Sequence, residues 1–209
     1  NLQVSAIVPA HNECASIARV VSGLLALRNS AGGALIHEVI VADNGSTDTT
    51  SRVAAGAGAR VIQVPRLGYG QACWDAVQAS ISGRLVFVDG DGAVDPRDVV
   101  TVLDALDNGC DMVIGVRTHV EAGSMSIAQR MGNALACQLM RLLWQMPAHD
   151  LGPLRAIRRE AFDSLDMQDR AFGWTVEMQV RAHVLSQRVS EVPVRWLVRT
   201  AGVSKIGGT

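Results

Sequence analysis

Short β-branched apolar runs alternate with segments whose apolar residues recur every three to four positions, the signature of buried strands alternating with amphipathic helices. Val4 to Val8 reads as a first strand ended by Pro9, which has no N–H to donate to a ladder. Ile17, Val20, Val21, Leu24 and Leu25 then recur at helical spacing, with Asn12 at the expected N-cap. The unit repeats: strand Val39–Ala42 ends at Asp43, Ser46-Thr47-Asp48 leads into a helix over Val53–Ala57, and strand Arg60–Val64 precedes a helix over Gln71–Ile81. Strand Leu85–Val88 ends at Asp89, and Asp95-Pro96 predicts an N-cap followed by proline at the first helical position.

This alternation implies an α/β fold: a mostly parallel, doubly wound sheet with right-handed crossovers and helices on both faces. After strand Met112–Ile114 the regularity is lost. A helix over Ile127–Gln145, a turn at His149–Pro153, a strand through Arg155, a helix over Thr175–Ser186 and a strand over Val189–Val194 complete the expected elements. The pattern is consistent with one domain over residues 1–209, with one half up to Ile114 and another over 115–209.

Composition adds mainly exclusions. With 209 residues, of which 48% are apolar, the chain can bury a core without disulfides, and its formal charge of −1 gives no general attraction for nucleic acid. Cys14, Cys73, Cys110 and Cys137 are widely spaced and read as reduced core cysteines of a cytoplasmic protein. No secretory leader and no run of about 20 apolar residues is present, so the expectation is a soluble or peripheral chain. No zinc-ligand spacing, nucleophile elbow or P-loop lysine motif is present.

Ligands of open α/β sheets bind beyond the carboxyl ends of the strands. Three such ends are polar here: Pro9-Ala10-His11-Asn12-Glu13, Asp43 to Asp48, and Asp89-Gly90-Asp91. Two carboxylates one residue apart after a buried strand are suited to sharing a hard divalent cation with a diphosphate, so Asp89 and Asp91 are the candidate metal pair. A plain Asp-Gly turn is the simpler reading of the same string. Gly68-Tyr69-Gly70 follows a strand and opens a helix, close to a dinucleotide fingerprint, but Cys73 replaces its third glycine. An NAD-type oxidoreductase is therefore a rival reading, and a non-catalytic nucleotide-sugar sensor is a third.

Together these strand-end motifs resemble family 2 glycosyltransferases of the GT-A fold. His149-Asp150-Leu151-Gly152-Pro153-Leu154-Arg155, Gly173-Trp174-Thr175-Val176-Glu177 and Glu191-Val192-Pro193-Val194 leading to Ser204-Lys205 are similar to the polyprenyl-phosphate branch, which includes dolichol-phosphate mannose and glucose synthases. That branch usually reads serine, glycine and an aromatic where this chain has Gly152-Pro153-Leu154. The resemblance implies an inverting transferase moving a hexose from a UDP- or GDP-sugar to a polyprenyl phosphate, with a sugar hydroxyl as the alternative acceptor. It implies donor binding by Pro9, Ala10, Asn12, Glu13, Asp43, Gly68, Gly70, Asp89 and Gly90, with Mg²⁺ or Mn²⁺ on Asp89 and Asp91. Arg155, Arg199, Ser204 and Lys205 would surround the acceptor and the donor phosphates, and Asp91, Arg155 and Glu177 would act in catalysis.

Glu177 is the candidate base for a hydroxyl acceptor, against pairing with Arg181 one helical turn on. Arg158, Arg159 and Arg195 are further candidate phosphate contacts, or solvated surface. The stripe of Leu135, Leu139, Leu142 and Leu143 reads as core, with a peripheral membrane contact near a lipid acceptor as the other reading.

Overall fold

The computed structural model describes residues 3–198. In chain order its elements are β1 (Val4–Ala10), α1 (Ile17–Leu25), β2 (Glu38–Asp43), α2 (Thr50–Gly56), β3 (Arg60–Gln63), α3 (Tyr69–Ala79) and β4 (Arg84–Phe87). There follow α4 (Pro96–Asp107), β5 (Met112–Val120), α5 (Ile127–Trp144), β6 (Arg155–Arg158), α6 (Arg159–Ser164), α7 (Trp174–Val184) and β7 (Val189–Trp196).

The strands form one sheet in the order β3-β2-β1-β4-β6-β5-β7. The first four pair in parallel, β6 runs antiparallel to both β4 and β5, and β5 pairs in parallel with β7. Because β6 inserts between β4 and β5, the later half of the chain completes the sheet of the earlier half.

Both sheet faces are covered, which is why the central strands read as unbroken apolar runs. On β1, Val4, Ala6, Val8 and Ala10 join the layer of α1 and α4, with Val20, Leu24, Val99 and Leu103. Ile7 points the other way, into a layer with Ala76 and Val77 of α3, Phe162 of α6, and Trp174 and Met178 of α7. In that layer the rings of Phe87, Phe162 and Trp174 lie 6.0 to 6.4 Å apart between centroids.

The Asp95 N-cap is as expected: its side chain accepts from the Arg97 N–H, with Pro96 in the first turn. Pro9 does not end β1, which continues through Ala10 opposite Asp43. The Ile7 carbonyl faces β4 and the Ala10 carbonyl faces β2, so by alternation the backbone of Pro9 faces the β4 side beyond the last paired residue there, Phe87. The missing N–H therefore costs no ladder bond. Ser16, and not Asn12, precedes α1.

Strand β5 runs six residues past Ile114, where Gly115 and polar residues had hidden it, and follows β7 with a register shift between Arg117 and His119. Helix α6 starts directly after β6 and has only 6 residues, too few to reveal a periodicity.

The core reading of α5 fails. Only Cys137 and Met140 of this helix are buried, while Ile127, Met131, Leu135, Leu142 and Leu143 are each more than half exposed. No helix among the described residues is long and apolar enough to cross a membrane.

Candidate active site

The loops after β1, β2 and β4 converge at the carboxyl edge of the sheet and brace one another. Asn12, at φ 54°, accepts at Oδ1 from the Thr47 N–H at 2.8 Å, and its own N–H donates to Ser46 Oγ at 2.9 Å. The Glu13 N–H donates to Thr50 Oγ1 at 2.8 Å, and Ser16 Oγ donates to the Gly90 carbonyl at 2.8 Å. A Cβ on Gly90 would stand 3.3 Å from the Pro9 carbonyl oxygen, so the smallest residue lets the β4 turn approach β1.

These loops wall a cleft of 470 Å³ lined by Pro9, Ala10, His11, Glu13, Asn44, Gly68, Tyr69, Asp89, Gly90 and Asp91, among others. Most expected donor residues thus come together. Asn12 does not line the cleft and instead ties the β1 and β2 loops. Asp43 is buried and does not line the cleft: it accepts from the Ser46 N–H at 2.9 Å and from Ser51 Oγ. Burial raises its pKa, but the hydrogen bonds from Ser46 and Ser51 outweigh this and hold it below the usual carboxylate value. Its neighbour Asn44 reaches the cleft instead, accepting from the Gly68 N–H at 2.8 Å and donating to the Arg66 carbonyl at 2.8 Å. His11 and Asn44, which the sequence offers only as members of two polar strand ends, also line the cleft, a placement that depends on the loop geometry.

A second cleft of 340 Å³ adjoins the first and shares Tyr69, Asp89 and Phe172 with it. Arg117, Ser126, Gln129, Asn133, Thr175 and Trp196 are among its other walls. Arg117 is held by Asp150 through Nε at 2.8 Å and Nη2 at 2.5 Å, and its guanidinium lies 5.2 Å from the Trp196 ring centroid. This cation was invisible in the sequence, since β5 was expected to have ended before it.

Asp89 stands at the junction of the clefts, half-buried, and accepts from the Tyr69 hydroxyl at 3.1 Å. Burial, reinforced by the Asp89 charge, pushes the Tyr69 pKa up and keeps its proton on. Asp91 is buried, with Oδ1 accepting from the Ala93 N–H at 2.9 Å. Among the described residues no group of three His, Cys, Asp or Glu gathers as a self-sufficient metal cage. A carboxylate pair opening on a nucleotide-sized cleft suits instead a hard cation that takes its remaining oxygens from a diphosphate and water. The residues present fit Mg²⁺ or Mn²⁺ in that sense.

Other expectations are corrected. Arg155 lines neither cleft: it is buried, and its guanidinium donates to the carbonyls of Gly152 at 2.7 Å, Thr175 at 3.0 Å and Leu151. Burial pushes its pKa down to about 10, so it is still a cation at neutral pH. Arg158 and Arg159 donate to the carbonyls of Cys110, Leu106, Val77 and Ser80, and Arg195 binds Asp98 at 2.8 Å. Glu177 lines neither cleft and accepts from Arg181 at 2.9 Å. Arg199, Ser204 and Lys205 lie outside the described residues.

Gly68 and Gly70 also admit the neighbouring backbone: a Cβ on them would meet the Arg170 carbonyl oxygen at 2.2 Å and the Asp169 carbonyl oxygen at 2.7 Å, respectively. The N–H groups of Gly70 and Gln71 donate to the Ala171 and Arg170 carbonyls. The helix terminus on which a dinucleotide pyrophosphate would rest is thus already satisfied from within, which removes the basis of the oxidoreductase reading.

A nucleotide-sized crevice beside a strand-end carboxylate pair, on a largely parallel sheet of this order, defines a GT-A glycosyltransferase. The chain belongs to glycosyl transferase family 2, whose model matches residues 5–166. It is 35% identical over 206 residues to the uncharacterized glycosyltransferase Rv0539 of Mycobacterium tuberculosis, covering 99% of this chain and 90% of that protein. It is 32% identical over 170 residues to a dolichyl-phosphate hexose transferase of Haloferax volcanii, covering 81% of this chain and 73% of that protein. Among solved structures, glucosyl-3-phosphoglycerate synthase from Mycobacterium tuberculosis, in complex with Mn²⁺, UDP-glucose and phosphoglyceric acid, superposes with a TM-score of 0.76 at 26% identity. That match covers 99% of this chain and 74% of the other.

Proposed function

We propose that the protein binds a UDP- or GDP-hexose in the larger cleft, with Mg²⁺ or Mn²⁺ at Asp89 and Asp91, and transfers the hexose with inversion to a polyprenyl phosphate. An acceptor phosphate oxygen attacks the anomeric carbon as the bond to the β-phosphate breaks, and the nucleoside diphosphate leaves. The bound cation supplies stabilisation of the charge that builds on the leaving oxygen. Tyr69 holds Asp89 by its hydroxyl, and Arg117 offers a fixed cation to the incoming anion.

The observation that carries the acceptor reading is the chemistry of the smaller cleft. Asp89 is the only carboxylate among the described residues lining it. A sugar hydroxyl needs a base to take its proton, whereas a phosphate monoester arrives already ionised. The exposed apolar face of α5 supports a lipid-borne phosphate. The same helix lines the cleft through Ala128, Gln129, Gly132 and Asn133, and its charged residues are Arg130 and Arg141, with no acid, as suits peripheral contact with an anionic lipid surface. The dolichyl-phosphate hexose transferase named above favours the same acceptor, and the complex with phosphoglyceric acid favours a small one.

The test is a donor panel of radiolabelled UDP- and GDP-hexoses with Mn²⁺, offered a polyprenyl phosphate or phosphoglyceric acid. Label extracted into organic solvent, and lost with EDTA, is the expected result. Label transferred only to the water-soluble acceptor would refute the lipid reading while leaving the donor reading intact.

A further inference from the structure

Residues 165–173, between α6 and α7, include Ala171 and Phe172, which wall the donor cleft, and Phe172 also walls the acceptor cleft. Phe172 is 61% exposed, so core packing does not account for a large apolar side chain at this tip. Its backbone, in contrast, is braced from two sides. Glu177 of α7 accepts from the Gln168 N–H at 2.9 Å with Oε1 and from the Asp169 N–H at 2.7 Å with Oε2. Arg181 holds that carboxylate and also donates to the Leu165 carbonyl at 2.8 Å. Opposite, the first turn of α3 binds the Arg170 and Ala171 carbonyls, and the Arg170 guanidinium lies 4.1 Å from the Trp74 ring centroid. Asp169 accepts from the Ala171 N–H at 2.7 Å, and a Cβ on Gly173 would stand 2.4 Å from Asp169 Oδ2, so the segment closes tightly on itself.

We propose that Glu177, backed by Arg181, is a positioning residue whose carboxylate clamps this segment so that Phe172 stands between donor and acceptor and directs the hexose to the acceptor instead of water. The inference rests on the proposed transfer reaction and deepens it. In the competing reaction a water oxygen attacks the anomeric carbon, the sugar–phosphate bond breaks, and the water proton passes to solvent. Both reactions use the same bound donor, so their ratio reports what stands at the junction and not how much donor is bound.

Glu177→Gln keeps the side-chain shape but turns an amide N–H₂ toward one of the two backbone donors and discharges the pair with Arg181. The expected result is a transfer-to-hydrolysis ratio lowered about tenfold, on the scale of one lost charge-assisted hydrogen bond, with a raised acceptor KM and unchanged Mn²⁺-dependent nucleotide binding. Phe172→Ala, which leaves the clamp intact, should lower the same ratio, and in the double variant the ratio should be no lower than in either single one. An unchanged ratio in Glu177→Gln, or nucleotide affinity and both rates falling together as in simple destabilisation, would overturn the clamp while the unaltered chain still transfers. Failure of the unaltered chain to bind any nucleoside diphosphate with metal would overturn the transferase chemistry and the clamp together.

Discussion

At the scale of single residues, like side chains have divided between chemistry and scaffolding according to what surrounds them. Arg155 and Arg117 show this: the first spends its donors on three carbonyls, the second lines a cleft with its charge steadied by Asp150. Asp91→Asn should abolish metal-dependent strengthening of nucleotide binding, at least about tenfold, because an amide is a far poorer ligand for a hard cation than a carboxylate. Calorimetric titration with Mn²⁺ and then with EDTA reads this directly; equal affinity in both variants would remove Asp91 from the metal site. Asp48 provides a pH test. Burial acts to raise its pKa, but hydrogen bonds from Thr50 and Cys14 outweigh it and bring the value from 3.8 to about 2. A carboxylate lowered on folding contributes stability that is present above 3.8 and lost as pH falls through about 2. The Thr50 amide resonance, whose N–H donates to Asp48 Oδ1, should titrate with the lower midpoint, and a midpoint near 3.8 would mean that this hydrogen bond is not formed in solution.

At the scale of elements, α5 departs furthest from ordinary packing. Its buried side is narrow, Cys137 and Met140 facing Met146 and Ala148, and its opposite side presents leucines to solvent. Replacing Leu135 and Leu142, 59% and 74% exposed, with glutamate removes little native packing. The double variant should therefore unfold at nearly the same temperature while losing most of its retention on anionic lipid vesicles in a flotation assay. Retention equal to that of the unaltered chain would dissociate this face from lipid. The glycines at the start of α3 carry a lesson of the same scale. A sequence fingerprint identified them as ligand-facing, and the fold also uses them to admit the backbone of residues 169–170, with Gly68 lining the larger cleft.

Across the whole molecule, one sheet joins the earlier and later halves of the chain, since β6 pairs with β4 on one side and β5 on the other. The aromatic layer beneath the clefts ties α6 and α7 to β4. Trp174 is 1% exposed at the start of α7, three residues from Glu177, so Trp174→Ala leaves a cavity under both the sheet and the clamp. Denaturant unfolding should show a loss of about 3–5 kcal/mol. A loss below about 1 kcal/mol, the size expected at a surface position, would contradict this packing.

Much of this was legible in one dimension, for a physical reason. A strand buried on both faces must be apolar throughout, a helix on a sheet must repeat its apolar face, and a metal for a diphosphate needs adjacent hard oxygens; all three leave local patterns. Hence β1 to β4, α4 with its Asp95-Pro96 start, the placing of Asp89 and Asp91 beyond a strand end and the family resemblance were readable. What depends on distant partners was not. Whether an arginine meets a carbonyl or a cleft, whether Glu177 faces a substrate or the backbone of Gln168 and Asp169, whether Gly68 admits a ligand or a loop, and whether the α5 leucines are covered are decided by which segments the sheet order brings together. Only the tertiary structure supplied those neighbours, because a side chain's type limits what it can bind while its surroundings determine what it does bind.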